Sequence, residues 1–323
     1  METPPPSGVR LPCLAFNHGK YSDAPILFNL SERKAVASDM DELTGNDTTW
    51  ATPHGWLLVH RHRHTFLWNP SNGDKIQLPP LPDDDVPSAD CICLLSDKPA
   101  VAGCVVVLFE IEMDPVMWYC HVGDSGEGWT RHEYDIGTQI LYPDETLHEK
   151  LVITPVTSCH GKLYFISTGF HELGVIEFPP AAAAAASPAF SSIAMREVVT
   201  GGFGVAHSAL VFMVESKDEV HMVNLLFDGS FSSVVQEWRR VYDLDGQAFL
   251  LSPVRFGASR PAAECGLEED CVYVASYPWD KGLMIYNVRE GTIKLENLEE
   301  APESGSGTPL HGPWATMSPA AAP

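Results

Sequence analysis

The chain lacks the features that mark several large classes of protein. Its longest apolar run, Val101-Ala102-Gly103-Cys104-Val105-Val106-Val107-Leu108-Phe109, is about half the ~20 residues that a membrane-spanning helix needs. The start, Met1-Glu2-Thr3-Pro4-Pro5-Pro6, has neither the basic and apolar regions of a secretory leader nor the Arg/Ser-rich amphipathic character of a transit peptide. A membrane is not expected as a partner, and a reducing cytoplasmic or nuclear compartment is the default. Cysteine is sparse: eight residues spread over 323, with no pair of pairs at zinc or redox spacing, do not indicate a disulfide scaffold. Basic charge is scarce as well. With 20 Lys+Arg against 43 Asp+Glu, a formal net charge of −23 repels phosphate backbones and anionic lipid, so nucleic acid is not expected as the main partner. Sustained 3.6-residue periodicity is almost missing, which argues against a helical fold.

What is present is an ordinary globular composition, 45% hydrophobic and 20% charged, enough to build a sizeable core. The acidic excess is uneven: residues 1–75 hold 7 basic and 8 acidic residues, whereas residues 76–323 hold 13 and 35. Short acidic runs (Asp83-Asp84-Asp85, Glu268-Glu269-Asp270, Glu299-Glu300) sit beside Pro, Gly or Ala. They read as solvated loops, with a docking patch for a basic partner as the sharper alternative.

Many brief apolar or alternating runs, punctuated by Gly, Pro, Asn and Asp, give an all-β signature. Leu57-Leu58-Val59 and Thr65-Phe66-Leu67-Trp68 flank a short polar stretch, and Asn72-Gly73 supplies the positive φ of a tight turn before Lys75-Ile76-Gln77-Leu78. Further strands are expected over 104–111, 116–121, 151–154, 162–167, 173–178, 209–215, 219–227, 234–242, 271–276, 283–288 and 292–296. His54-Gly55-Trp56-Leu57, His160-Gly161-Lys162-Leu163 and Asp270-Cys271-Val272-Tyr273 resemble one element in three places, at about twice the ~40–50-residue period of a propeller blade. The expectation is a single β-propeller of about six blades over residues 10–315, with frayed tails at 1–9 and 316–323. A pair of stacked β-sandwiches would satisfy the same alternation. The Ala181–Ala186 run between prolines is expected as a surface loop.

Several motifs invite chemistry. Alternate histidines in His60-Arg61-His62-Arg63-His64 would share a strand face as metal ligands do, but no carboxylate or cysteine lies in the same segment at ligand spacing and two arginines add charge, so a polar hairpin tip is preferred. Gly123-Asp124-Ser125-Gly126 resembles a serine-protease nucleophile segment without its second glycine or a matching histidine, and is expected as a turn. Cys91-Ile92-Cys93 lacks zinc-knuckle spacing and reads as reduced, partly buried thiols. Gly201-Gly202-Phe203-Gly204 lacks the Lys-Ser/Thr of a phosphate loop, and Asp243-Leu244-Asp245-Gly246 opens like a calcium loop whose closing position is Val254. No catalytic, cofactor-binding or metal residue is therefore assigned. Of the eight tryptophans, Trp56, Trp68, Trp118 and Trp238 are expected to pack between blades, and Trp279 sits in a loop.

In their order along the chain, Leu11-Pro12-Cys13-Leu14, His54-Gly55-Trp56-Leu57, Leu67-Trp68-Asn69-Pro70, Leu78-Pro79-Pro80-Leu81 and Gly128-Trp129-Thr130 open a family pattern. His160-Gly161-Lys162-Leu163-Tyr164, Leu210–Ser216, Glu237-Trp238, Asp270–Tyr273, Tyr286–Thr292 and Pro313-Trp314 continue it. With these motifs the chain resembles the plant F-box-associated, KIB-type (kelch-like) β-propeller family. The resemblance implies a non-catalytic protein-interaction module, linked to substrate recognition in F-box-type ubiquitin-ligase pathways. It supplies no catalytic residue and no cofactor. Only about ten residues precede the propeller-like region, too few for the helices of an F-box, so direct contact with a Skp-type adaptor is not expected of this stretch. The protein partner is unidentified and, by charge complementarity, expected to be basic. The competing readings are an enzyme with its site in the propeller channel and a degenerate paralogue without the F-box.

Overall fold

The computed structural model of the protein describes residues 13–16, 26–31, 34–36, 47–82, 86–111, 114–123, 128–140, 148–166, 172–181, 186–194, 208–227, 243–252, 256–275 and 282–297. These form antiparallel sheets built largely from strands consecutive in sequence. Strands β1 (Cys13–Phe16), β2 (Ile26–Asn29) and β3 (Lys34–Val36) make a three-stranded sheet. Strands β4 (Thr48–Ala51), β5 (Leu57–Arg61), β6 (His64–Trp68) and β7 (Lys75–Leu78) make a four-stranded meander, as do β8 (Ile92–Leu95), β9 (Val105–Phe109), β10 (Val116–His121) and β11 (Thr130–Glu133). A small hairpin of β12 (Thr138–Ile140) and β13 (His148–Lys150) precedes a third meander: β14 (Val156–Cys159), β15 (Lys162–Ile166), β16 (Glu172–Glu177) and β17 (Ala189–Ala194). A long hairpin follows, β18 (Ser208–Ser216) with β19 (Glu219–Phe227). The last sheet holds β20 (Gln247–Ser252), β21 (Phe256–Pro261), the one-turn helix α1 (Ala262–Cys265), β22 (Cys271–Ala275), β23 (Gly282–Asn287) and β24 (Thr292–Asn297). Its order is β21-β20-β22-β23-β24, with β20 and β22 parallel.

The chain packs as two compact units, one formed by the segment through Gln77 with Asp243–Val254 and the chain from Ala258, the other by Leu78–Tyr242 with Arg255–Gly257. Among the described residues, four sheets have the four or more strands of a full blade, against the about six blades expected from the sequence. The remainder are the three-stranded sheet and the two hairpins. The strand expected over 234–242 lies outside the described residues, as do Gly201–Gly204, Trp238 and Trp279.

The second unit shows why short strands suffice. β9 and β10 are buried at every position and β8 likewise, so this sheet is covered on both faces and reads as continuous hydrophobic sequence. β14 lies against β8 on one side and β18 on the other, and Ile92, Leu94, Val107, Phe109, Met117, Ile153, Val156, Leu163, Phe165 and Ile176 form one core between adjacent sheets. The fourth strands are the exposed ones: β11 alternates and β17 is exposed throughout. Gly174 stands opposite Phe165, whose ring covers it so closely that a Cβ there would lie 2.2 Å from the ring's Cζ.

The recurrent His-Gly element has a backbone cause. His160 and Gly161, φ 51° and 74°, are the two central residues of the tight turn from β14 to β15, and both adopt the left-handed conformation that matches strand twist. Lys217 and Asp218, φ 51° and 66°, do the same between β18 and β19. Gly55, φ 80°, and Asp270, φ 56°, place a left-handed residue shortly before β5 and β22.

One strand expectation is corrected. The segment 151–154 is not a strand: Leu151 N–H bonds to the Gly137 carbonyl at the end of the β12–β13 hairpin, and the Tyr134 hydroxyl takes the Ile153 N–H, both at 2.9 Å. The strand instead begins at Val156.

Candidate interaction surface

The residues that the sequence offers for chemistry are engaged in structural roles. The histidine-arginine run is the tip of the β5–β6 hairpin, with His62 and Arg63 exposed in the turn and His62 at φ 52°. Arg61 grips Asp47, donating from Nε to Oδ1 at 2.9 Å and from Nη2 to Oδ2 at 2.6 Å, while His60 Nδ1 lies 3.1 Å from the Thr65 hydroxyl. The preferred hairpin tip is thus what forms. Among the described residues no three His, Cys, Asp or Glu side chains gather closely enough to hold a metal ion.

Asp243-Leu244-Asp245-Gly246 is likewise a turn, closed by a carboxylate from elsewhere in the chain. Asp270 Oδ1 accepts from Leu244 N–H at 2.7 Å and Gly246 N–H at 3.2 Å, and Oδ2 pairs with Arg289 Nη2 at 2.7 Å. Asp270 is almost fully buried, whereas Glu268 and Glu269 beside it are exposed. The residue that replaces the His-Gly pair in the third repeat therefore anchors the loop before β20.

Cys91, Cys93, Cys104, Cys120, Cys159, Cys265 and Cys271 are free and buried. Burial pushes six of these thiols away from the reactive thiolate: Cys104, Cys265 and Cys271 are raised to about 11, and Cys93, Cys120 and Cys159 also move up. Gly123, φ 83°, opens the turn after β10, and Asp124–Glu127 lie outside the described residues. Trp50, Trp68, Trp118 and Trp129 are packed; Trp129 Nε1 donates to the Pro79 carbonyl at 2.8 Å and Trp118 Nε1 to Glu110 at 3.1 Å.

The feature that stands outside this structural role is on β11 and β17. Phe190 is 39% exposed and Ile193 52%. The Phe190 ring stacks on His132 of β11 with centroids 6.1 Å apart and planes 19° apart, and lies 6.2 Å from the Tyr134 ring. Tyr134 is fixed from below by its hydroxyl's bond to Ile153 N–H, and its phenol is raised to about 12, chiefly by burial. Partial burial lowers His132, which favours the neutral imidazole against the ring. The result is an aromatic shelf in which the partly exposed Phe190 rests on the half-buried His132 and the buried Tyr134, the type of surface that supplies interface anchors.

The sequence reading missed this shelf. The signal available was Ala189-Phe190-Ser191-Ser192-Ile193-Ala194, a six-residue stretch without charge following Pro188 in a strongly acidic chain.

A family model described as KIB1-4 beta-propeller matches residues 27–293, most of the chain. Comparison with curated proteins finds no match.

Proposed function

Because the chain belongs to the KIB1-4 beta-propeller family, we propose that it acts as a protein-interaction module with no catalytic chemistry of its own. The observation that carries this reading is the partly exposed Phe190 ring of β17, stacked on the half-buried His132 and backed by the buried Tyr134 that follows β11. The groups with reactive potential support it: the described thiols are buried, the paired histidines turn a hairpin, and Asp270 closes a loop. Propellers present partners to rigid sheets with variable connections, so recognition needs surface rather than a reacting group.

The partner is a protein with a basic surface. The excess of 35 acidic over 13 basic residues after position 75 gives a field that accelerates encounter with opposite charge and slows encounter with like charge. The finer reading, recruitment of a substrate protein in an F-box-type ubiquitin-ligase pathway, rests on the family resemblance. Among the described residues no helix is long and apolar enough to cross a membrane.

Affinity isolation of the tagged chain, followed by quantitative mass spectrometry, tests the reading. A partner at near one-to-one stoichiometry that is lost on Phe190→Ala supports it; recovery of a Skp-type adaptor with that partner supports the ligase link. Turnover of a small metabolite by the purified chain would overturn it.

A further inference from the structure

The outer strands of the sheets differ in how their edges are protected. An unpaired edge exposes a row of backbone donors and acceptors, and proteins guard such edges with charge or proline. β7 carries Lys75, β11 carries Arg131 and Glu133, and β24 carries Lys294 and Glu296. β17 carries no charge and no proline, although it is six residues long, exposed throughout, and paired along its whole length with β16 on the other side. Phe190 of this strand stacks on His132 of β11. Among the described residues no further strand pairs with the outer edge of β17.

Charge selects its occupant. Glu172 pairs with Ala194 and Glu177 with Ala189, so a carboxylate stands one strand behind each end of β17. Glu177 is matched by Lys162 at 2.6 Å, which leaves the Glu172 end the more acidic. A second copy of this chain would oppose two net charges of −23.

Building on the interaction-module reading, we propose that β17 accepts one further strand from a protein partner: an extended segment with small or apolar residues at its centre and lysine or arginine at the end that meets Glu172. Main-chain hydrogen bonds supply affinity, and Phe190 on one face of the strand and Ile193 on the other supply side-chain contact, as in other cases of strand addition.

The probe is a fluorescein-labelled peptide of alternating valine and threonine with paired lysines at both ends, titrated into the full chain by anisotropy. Saturable binding is expected, weakened at least about tenfold by methylation of alternate peptide nitrogens and by either Ile193→Lys or Ser191→Lys, both at exposed positions whose variants retain the native circular dichroism. Replacing the terminal lysines by glutamates weakens it further in low salt. Equal binding of methylated and unmethylated peptides would overturn the proposal. So would a concentration-dependent dimer, seen by sedimentation, that Ile193→Lys abolishes. If the peptide fails to bind while a stoichiometric partner is still isolated, the docking edge is wrong and the interaction module stands; if neither is found, both fall.

Discussion

Replacing Asp270 by alanine removes the group that holds the 243–246 turn to β22, and its cost follows from the bonds it makes. The carboxylate accepts from Leu244 N–H at 2.7 Å in a buried setting and from Gly246 N–H at 3.2 Å in a partly buried one. Each buried donor left without an acceptor costs about 1–3 kcal/mol, with Leu244 toward the upper end and Gly246 toward the lower. The Arg289 pair adds at most about 1 kcal/mol, because the Arg289 side chain is 64% exposed and solvent screens it. Alanine at φ 56° adds roughly 1 kcal/mol of backbone strain that aspartate and asparagine relieve locally. The total is about 4–6 kcal/mol, a large share of the ~5–15 kcal/mol that holds an ordinary domain. Asp270→Asn keeps an acceptor oxygen and the backbone preference, so about 1 kcal/mol is expected, and Arg289→Ala should cost no more than that. Urea unfolding reads these as midpoint shifts at constant slope, and amide exchange at Leu244 and Gly246 should quicken in the alanine variant alone. Equal effects of alanine and asparagine, with unchanged exchange at both amides, would refute the anchoring role.

Other expectations follow from the packing. Gly174→Ala drives a methyl into the Phe165 ring and should cost about 1–3 kcal/mol of unfolding free energy; Phe165→Leu should relieve part of that cost in the double variant. In the native chain, iodoacetamide at pH 8 should label Cys93, Cys104, Cys120, Cys265 and Cys271 far more slowly than after urea unfolding, as peptide mass spectrometry reads directly. His132 is lowered in the folded chain, so its stability contribution is complete above the unfolded value of ~6.5 and is lost as pH falls through that value to the folded one, below which no more is lost. The difference in unfolding midpoint between the native chain and His132→Phe should show that window, and a pH-independent difference would count against the stacked arrangement.

The strands easiest to read in the sequence were those where pattern and burial coincide. Leu57–Arg61, Val116–His121 and Glu219–Phe227 announce themselves by apolar runs or alternation between turn residues. Val156–Cys159 did not, because its Thr157, Ser158 and Cys159 are polar or small yet buried between neighbouring strands. β17 was hidden by the opposite circumstance: an exposed outer strand needs no apolar pattern, and its pairing with β16 is a tertiary fact. The parallel pairing of β20 with β22 was equally out of reach, since β21 and α1 intervene. The role of Asp270 could be glimpsed only as a departure from His-Gly in the third repeat; what it binds lies about 25 residues earlier, beyond any local motif.

If this acidic module recognises a basic protein, the association rate constant between the purified chain and its isolated stoichiometric partner, measured by stopped flow from low to high ionic strength, falls steeply as salt screens the field, while the dissociation rate changes much less. An association rate indifferent to salt, or one that rises with it, would rule that recognition out.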